Sequence, residues 1–190
     1  MTRLRSSILP LSLFATSLLP VACGGSDSPP AVCGELESYT STVTNQLSFA
    51  TDVYPILTST DAKSSGCAQA GACHGAESVF INTAQTVKLP FVFGTGAAPV
   101  MDPAMAKAQL MMASVNASGM QRVVAGNVKN SFLSYKISGK DGLSCISSMC
   151  QAHASVGTMT SCGDPMPTIG MLSASDRTKI LDWIASGASD

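Results

Sequence analysis

Residues 172–188, LSASDRTKILDWIASGA, contain the clearest structural signal in the chain. Ser173 is followed three residues later by Asp176, which is the spacing of a capping box with Asp in place of Glu. The apolar residues that follow recur at helical spacing, and Gly187 suits a helix C-terminus. They are Ile180, Leu181, Trp183 and Ile184. The stretch therefore predicts a C-terminal helix with an apolar stripe and with Trp183 in the core.

Three further helices are predicted before it. Apolar residues recur at helical spacing between residues 48 and 59, although Pro55 interrupts the pattern. Asp102 and Pro103 are typical of an N-cap and a first helical residue. The helix that begins there should carry four apolar residues on one face, and we expect its methionines in the core. These residues are Met105, Ala108, Met112 and Val115.

Asn130 or Ser131 is expected to cap a short helix that turns Phe132, Leu133 and Ile137 inward. Residues 76–100 hold two apolar clusters among Pro and Gly, which favours irregular or short extended structure. Residues 139–163 are polar and Cys-rich, and we predict a loop there. The whole pattern predicts an all-α fold, a small helical domain with irregular loops over residues 48–190.

The N-terminus has the features of an export signal. Arg3 and Arg5 precede an apolar run, residues 8–21, that is too short for a membrane-spanning helix. Ala22-Cys23-Gly24 resembles the cleavage site of a bacterial lipoprotein. We therefore predict a lipoprotein signal peptide over residues 1–22 and lipid attachment at Cys23. The alternative is ordinary signal cleavage without a lipid.

Export places the mature chain outside the cytoplasm, on the periplasmic or cell-surface side. Gly24 after the lipidated Cys favours the outer membrane as the anchoring membrane. Residues 24–47 are rich in Ser, Thr, Pro and Gly, so we predict a flexible tether over residues 23–47, which Cys33 would pin to the domain.

Composition narrows the possible partners. The mature chain of 168 residues has nine basic and twelve acidic residues, a formal charge of −3, and no basic patch. Nucleic acid is therefore not an expected partner. Six cysteines remain after Cys23, an even number that suits an oxidising compartment. We expect Cys145 to pair with Cys150 and Cys33 to pair with Cys162, although spacing alone leaves all pairings open.

The segment 67–75, CAQAGACHG, carries the strongest chemical signal. Covalent attachment of haem needs two thiols for its vinyl groups and a His directly after the second thiol as an axial iron ligand. Cys67, Cys73 and His74 supply this set with the spacing C-x5-C-H, and Ala70 stands where the usual motif has its first Cys. Attachment through Cys73 alone is a further possibility.

A second iron ligand is predicted near the C-terminal helix. Met166 lies between Pro165 and Pro167, and a thioether in a rigid loop suits the sixth position of a haem iron. Met/His ligation raises the reduction potential, which suits an electron carrier.

The order of these segments resembles the cytochrome c-like domains of bacterial lipoproteins and of some secreted multidomain enzymes. The resemblance covers roughly residues 48–188. It rests on the order of three pairs of segments. Tyr54-Pro-Ile-Leu57 precedes the Cys-His-Gly motif, and Val124-Ala-Gly-Asn127 precedes Ser131-Phe-Leu-Ser-Tyr-Lys-Ile137. Asp164-Pro-Met166-Pro then precedes the C-terminal stretch.

The resemblance implies an all-α fold in which the N- and C-terminal helices cross beside one haem c per chain. It implies His74 as the proximal and Met166 as the distal ligand. The implied function is electron transfer with redox partner proteins that the sequence does not identify, and no enzymatic activity. The C-x5-C-H spacing and the Cys-rich segment 139–163 depart from the family pattern.

Several alternatives stay open. Cys67 and Cys73 would form a disulfide if no haem is attached, and Met166 would then be a packing residue. His153 is an alternative distal ligand, and with Cys145, Cys150 and Cys162 it could also bind zinc. At the level of function, the alternatives are a haem-free, disulfide-stabilised binding or surface lipoprotein and a peroxidase-type enzyme with an open iron position.

Overall fold

A computed structural model of the chain describes residues 31–59, 102–114, 116–150, 162–167 and 171–190, and the backbone of residues 79–82 and 85–88. The regular secondary structure of these parts is helical apart from one antiparallel hairpin. The helices are α1 (Ala31–Glu37), α2 (Tyr54–Thr58), α3 (Pro103–Leu110), α4 (Phe132–Lys136), α5 (Gly139–Cys145) and α6 (Ala174–Ala185). The strands are β1 (Val79–Asn82) and β2 (Gln85–Lys88), and Phe80 lies opposite Val87.

The C-terminal helix α6 matches its sequence prediction closely. The Ser173 hydroxyl accepts a hydrogen bond from the Asp176 backbone N–H at 3.0 Å, so the predicted N-cap is present. The helix ends at Ala185, and Gly187 follows with a φ of 109°, a conformation that glycine adopts without strain. Its apolar stripe is fully buried, and Trp183 packs against Phe49 with the two rings tilted and their centroids 5.2 Å apart.

The predicted helix over residues 48–59 is also present, in two parts. A π-helical turn, Phe49–Val53, leads directly into α2, and the Ser48 side chain caps the turn. Pro55 stands in the first turn of α2, where its missing N–H costs no helical hydrogen bond. This unit packs against both α6 and α3. The core of the domain therefore forms where the N-terminal and C-terminal helical segments meet.

The prediction for α3 is right about its start and wrong about its inner face. Asp102 caps the helix by accepting a hydrogen bond from the Ala104 N–H, as predicted. The buried residues are Ala106 and Leu110, however, while Met105 and Met112 are 60% and 53% exposed. The helix ends at Leu110, so Met112 lies beyond it. The predicted stripe assumed a longer helix.

Residues 31–47 differ from the predicted tether. They form α1 and an extended segment that packs on the domain, with Leu36 fully buried in the core. Asp182 on α6, itself 2% exposed, holds this segment through hydrogen bonds from the Tyr39 hydroxyl, the Thr42 N–H and the Thr42 hydroxyl. The composition of this segment predicted flexibility, because composition alone does not show that a few contacts anchor a segment to the domain.

The loop predicted for residues 139–163 is wrong for its first part. Residues 139–145 form α5, and a 3-10 turn, Ser147–Met149, follows. Gly142 makes this helix possible, because a Cβ there would lie 2.5 Å from the Tyr135 carbonyl oxygen. The short helix α4 was predicted correctly, and Phe132, Leu133 and Ile137 are buried.

Candidate functional site

A cavity of about 700 Å³ lies where α1, α5, the 162–167 loop and the start of α6 converge. Its apolar wall is formed by eight residues from these elements, from the end of α4 and from the residues just before α6. They are Val32, Ile137, Pro165, Met166, Pro167, Met171, Leu172 and Ala174. Four polar residues lie along another part of the lining. They are Ser138, Lys140, Asp141 and Arg177. An apolar wall with a few polar groups is typical of a small-molecule or cofactor site, and the volume is within the usual range for one.

The loop that carries Met166 is held by Lys136. The backbone N–H of Met166 donates a hydrogen bond of 2.8 Å to the Lys136 carbonyl. The Lys136 ammonium group, on a residue only 4% exposed, donates to the carbonyl oxygens of Cys162, at 3.0 Å, and Asp164. A buried ammonium group requires such acceptors. Backbone and side chain of one residue therefore fix both the start and the middle of this loop.

Two disulfides tie the cavity walls together. Cys33 is bonded to Cys145, which links α1 to the end of α5, and Cys150 is bonded to Cys162, which fixes the start of the Met166 loop. All four cysteines predicted to form disulfides do so, but the predicted pairs, Cys145 with Cys150 and Cys33 with Cys162, are wrong. Pairing by nearness in sequence failed because α1 lies on α5 in the fold.

These disulfides also bear on the zinc alternative. Cys145, Cys150 and Cys162 are all oxidised, so their sulfurs are not the thiolates that a zinc site requires.

Arg177 lies on the first turns of α6 and forms part of the cavity lining. Its Nε donates a hydrogen bond of 3.1 Å to the Ser138 hydroxyl, and its Nη1 forms an ion pair of 2.8 Å with Glu35. Its Nη2 is buried and has no hydrogen-bond partner among the residues that the structure describes.

The sequence-predicted site residues are only partly described by the structure. Met166 is half-buried on the cavity wall. Cys67, Cys73, His74, His153 and Cys23, the predicted site of lipid attachment, lie outside the described residues. Sequence reasoning did not identify Lys136 or Arg177. The signal that could have identified Lys136 is the presence of a Lys within the apolar run of α4. Nothing in the sequence distinguishes Arg177 from a solvated helix residue.

The described lining of this cavity contains two thioethers, those of Met166 and Met171, and a thioether is a soft ligand of the kind that haem iron accepts. The apolar wall is compatible with a porphyrin face. In the described residues no group of three or more His, Cys, Asp and Glu side chains is arranged to bind a metal ion.

Comparisons with protein families, with curated proteins and with solved structures find no match to this chain. Among the helices described, none is long and apolar enough to cross a membrane.

Proposed function

We propose that this chain is a monohaem c-type cytochrome-like electron-transfer protein, anchored to a membrane by a lipid on Cys23. Haem c is held covalently by Cys67 and Cys73, with His74 as proximal and Met166 as distal iron ligand. The observation that supports this proposal best is the position of Met166 on the wall of an apolar cavity, in a loop held by Lys136 and a disulfide.

The bound haem supplies one-electron chemistry, and the chain sets the conditions for it. The two hydrogen bonds from Lys136 and the Cys150–Cys162 disulfide keep the Met166 loop in one arrangement. Val32, Ile137 and Leu172 give the same cavity an apolar wall. If His74 and Met166 both bind the iron, no iron position would be left for a substrate, and the chain would act as an electron carrier and not as an enzyme.

A pyridine haemochrome spectrum and an intact mass test the proposal. The full chain is exported from a host with c-type maturation, and we expect a c-type spectrum and a haem mass that survives denaturation. A chain without haem, lighter by the hydrogens of a third disulfide, would contradict the proposal.

The role of Met166 is tested by M166A, with M105A as its control, since Met105 is exposed and outside the cavity. We expect M166A to lose the charge-transfer band of Met-ligated ferric haem, to lower the reduction potential and to gain cyanide binding. M105A should change none of these. A cyanide-binding wild-type protein would instead favour the peroxidase-type alternative.

A second candidate is a haem-free binding or surface lipoprotein. It is favoured by one observation, namely that both walls of the cavity are fixed by disulfides that need no haem to form. Peptide mapping decides between the two, because a disulfide between Cys67 and Cys73 supports this candidate and thioether-linked haem excludes it.

A further inference from the structure

Helix α1 is the point at which the chain that leads from Cys23 joins the folded domain. The Cys33–Cys145 disulfide bonds α1 to α5, and Leu36 on the same helix is fully buried. Further along, the N–H and the hydroxyl of Thr42 both donate to the buried carboxylate of Asp182. The chain is therefore fixed to the domain from α1 onwards, and only residues 24–30 separate Cys23 from this helix.

This short separation limits how far the domain can move from a lipid on Cys23. Eight residue-to-residue steps lead from Cys23 to Ala31, and even when fully extended they span at most about 29 Å. A tether that ran to Ser48 would span up to about 90 Å. A compact domain of about 160 residues has a radius of gyration of about 15 Å and is thus roughly 40 Å across. Because the reach is shorter than the domain, the face opposite α1 cannot turn onto the anchoring membrane.

The cavity lies on the side of the domain that carries α1. Val32, the second residue of α1, belongs to its lining, and so does Met171. Met171 is 79% exposed, which makes it the most exposed large apolar residue in the described part of the chain. Contact with a bilayer would remove this side chain from water and so lower its free energy.

The charged groups at the cavity do not oppose such a contact. Among the lining residues, Lys140 is followed directly by Asp141, and both are exposed. Arg177 forms an ion pair of 2.8 Å with Glu35 on α1. The positive and negative charges of these four residues balance, so they give this side no net charge that anionic lipid headgroups would repel.

We infer that the mouth of the cavity around Met171 is the surface with which the domain contacts the bilayer. The inference rests on the lipid anchor at Cys23 that belongs to the proposed function. It adds to that function that any redox partner must reach the cavity at the surface of the anchoring membrane.

The test places the full lipidated chain in nanodiscs that contain a lipid with a nitroxide on its headgroup. Methionine methyl groups are the NMR probes, and M171L and M105L assign the two signals that are compared. Met105 lies on α3, which packs on the Phe49–Val53 turn, and it is 60% exposed, so the comparison reports position more than burial. Relative to nanodiscs without nitroxide, we expect a larger loss of intensity for Met171 than for Met105. An equal loss, or a larger loss for Met105, would overturn the inference.

A longer tether is the matched control. Insertion of a flexible Gly-Ser linker of about 20 residues between Ser26 and Asp27 raises the maximum reach to roughly 100 Å, which exceeds the width of the domain. The difference between Met171 and Met105 should then shrink, because the domain is free to turn. A difference that persists with the linker also supports the inference, since the surface around Met171 would then bind the bilayer without help from the tether.

Intact mass separates this inference from the electron-transfer proposal. A chain without lipid on Cys23 overturns the anchor and the inference together. A lipidated chain that carries no haem contradicts the proposed electron transfer alone, because the intensity loss of the methionine signals is measured equally well without haem.

Discussion

The two ends of α6 are stabilised by different means. Its C-terminal half is packed, since Ile180, Leu181 and Trp183 are fully buried. Its first turns border a cavity of about 700 Å³. The packed end is stabilised by burial and by the hydrogen bonds of Asp182 and Trp183. The walls of the cavity end are linked by the two disulfides and by the hydrogen bonds of Lys136.

The packed end should be the most sensitive to truncation. Trp183 is fully buried, contacts Phe49 and donates its indole N–H to the Ser189 carbonyl at 2.8 Å. We expect W183A to lower the free energy of unfolding by about 3–5 kcal/mol, because it removes apolar contact and leaves a void. Urea unfolding measures this loss.

M171A is the matched control at the other end, since Met171 borders the cavity and is 79% exposed. It should change stability by less than about 0.5 kcal/mol. A W183A variant as stable as M171A would mean that packing does not hold this end.

The packed end is also the part that sequence reasoning recovered. The capping spacing at Ser173 and the apolar period of α6 are local signals, and the structure confirms both. Local signals failed where the deciding contact comes from a distant segment. Residues 31–47 are polar, yet a few bonds to Asp182 and one disulfide fix them. The disulfide pairs depend on which helices pack together, and a spacing pattern does not contain that information.

The candidate site was recovered only through Met166. Its place between two prolines predicted a rigid loop at a ligand site, and the structure places it on a cavity wall. Lys136 and Arg177 act through hydrogen bonds to residues from 26 to 142 positions away. Partners at such separations follow from the tertiary fold and not from a local pattern.

After W183A, the next largest loss of stability is expected when the Cys150–Cys162 disulfide at the cavity end is removed. The bond closes a short loop with a sequence separation of 12 residues. In the chain-entropy model a loop of that size contributes about 3 kcal/mol, so we expect C150S/C162S to lose roughly this amount in urea unfolding. The exposed neighbour Ser148 gives the control, because S148A should leave the unfolding midpoint unchanged. An unchanged midpoint in C150S/C162S would show that Lys136 alone suffices.

Loss of the Lys136 ammonium group should have a somewhat smaller effect. K136M keeps most of the buried stem but leaves the carbonyl oxygens of Cys162 and Asp164 without this donor. We expect a loss of about 1–3 kcal/mol, the cost of buried acceptors without partners. In the haem-loaded chain it should also weaken the Met-to-iron band. K129M is the control, because Lys129 is exposed. If K136M is as stable as K129M, the Lys136 ammonium group does not stabilise the Met166 loop.

The smallest effect is expected where Tyr39 joins the N-terminal segment to the packed end of α6. Its hydroxyl donates to Asp182 at 3.1 Å, and Y39F should cost about 1 kcal/mol near neutral pH. Burial, followed by the negative charge of Asp182, raises the pKa of Tyr39 from 10.0 to about 12. The folded state therefore favours the neutral phenol. Its contribution is complete below pH 10 and is lost as the pH rises towards 12.

Urea unfolding of the wild type and Y39F at about pH 8 and about pH 11 should therefore show a stability difference that shrinks at the higher pH. The other tyrosines titrate in both proteins, so the difference isolates Tyr39. T42V is the control, because it removes the Thr42 hydroxyl bond to Asp182 without removing a titrating group. Its stability relative to the wild type should not change between the two pH values. A difference for Y39F that stays constant with pH would mean that the pKa of Tyr39 is not raised in the folded state.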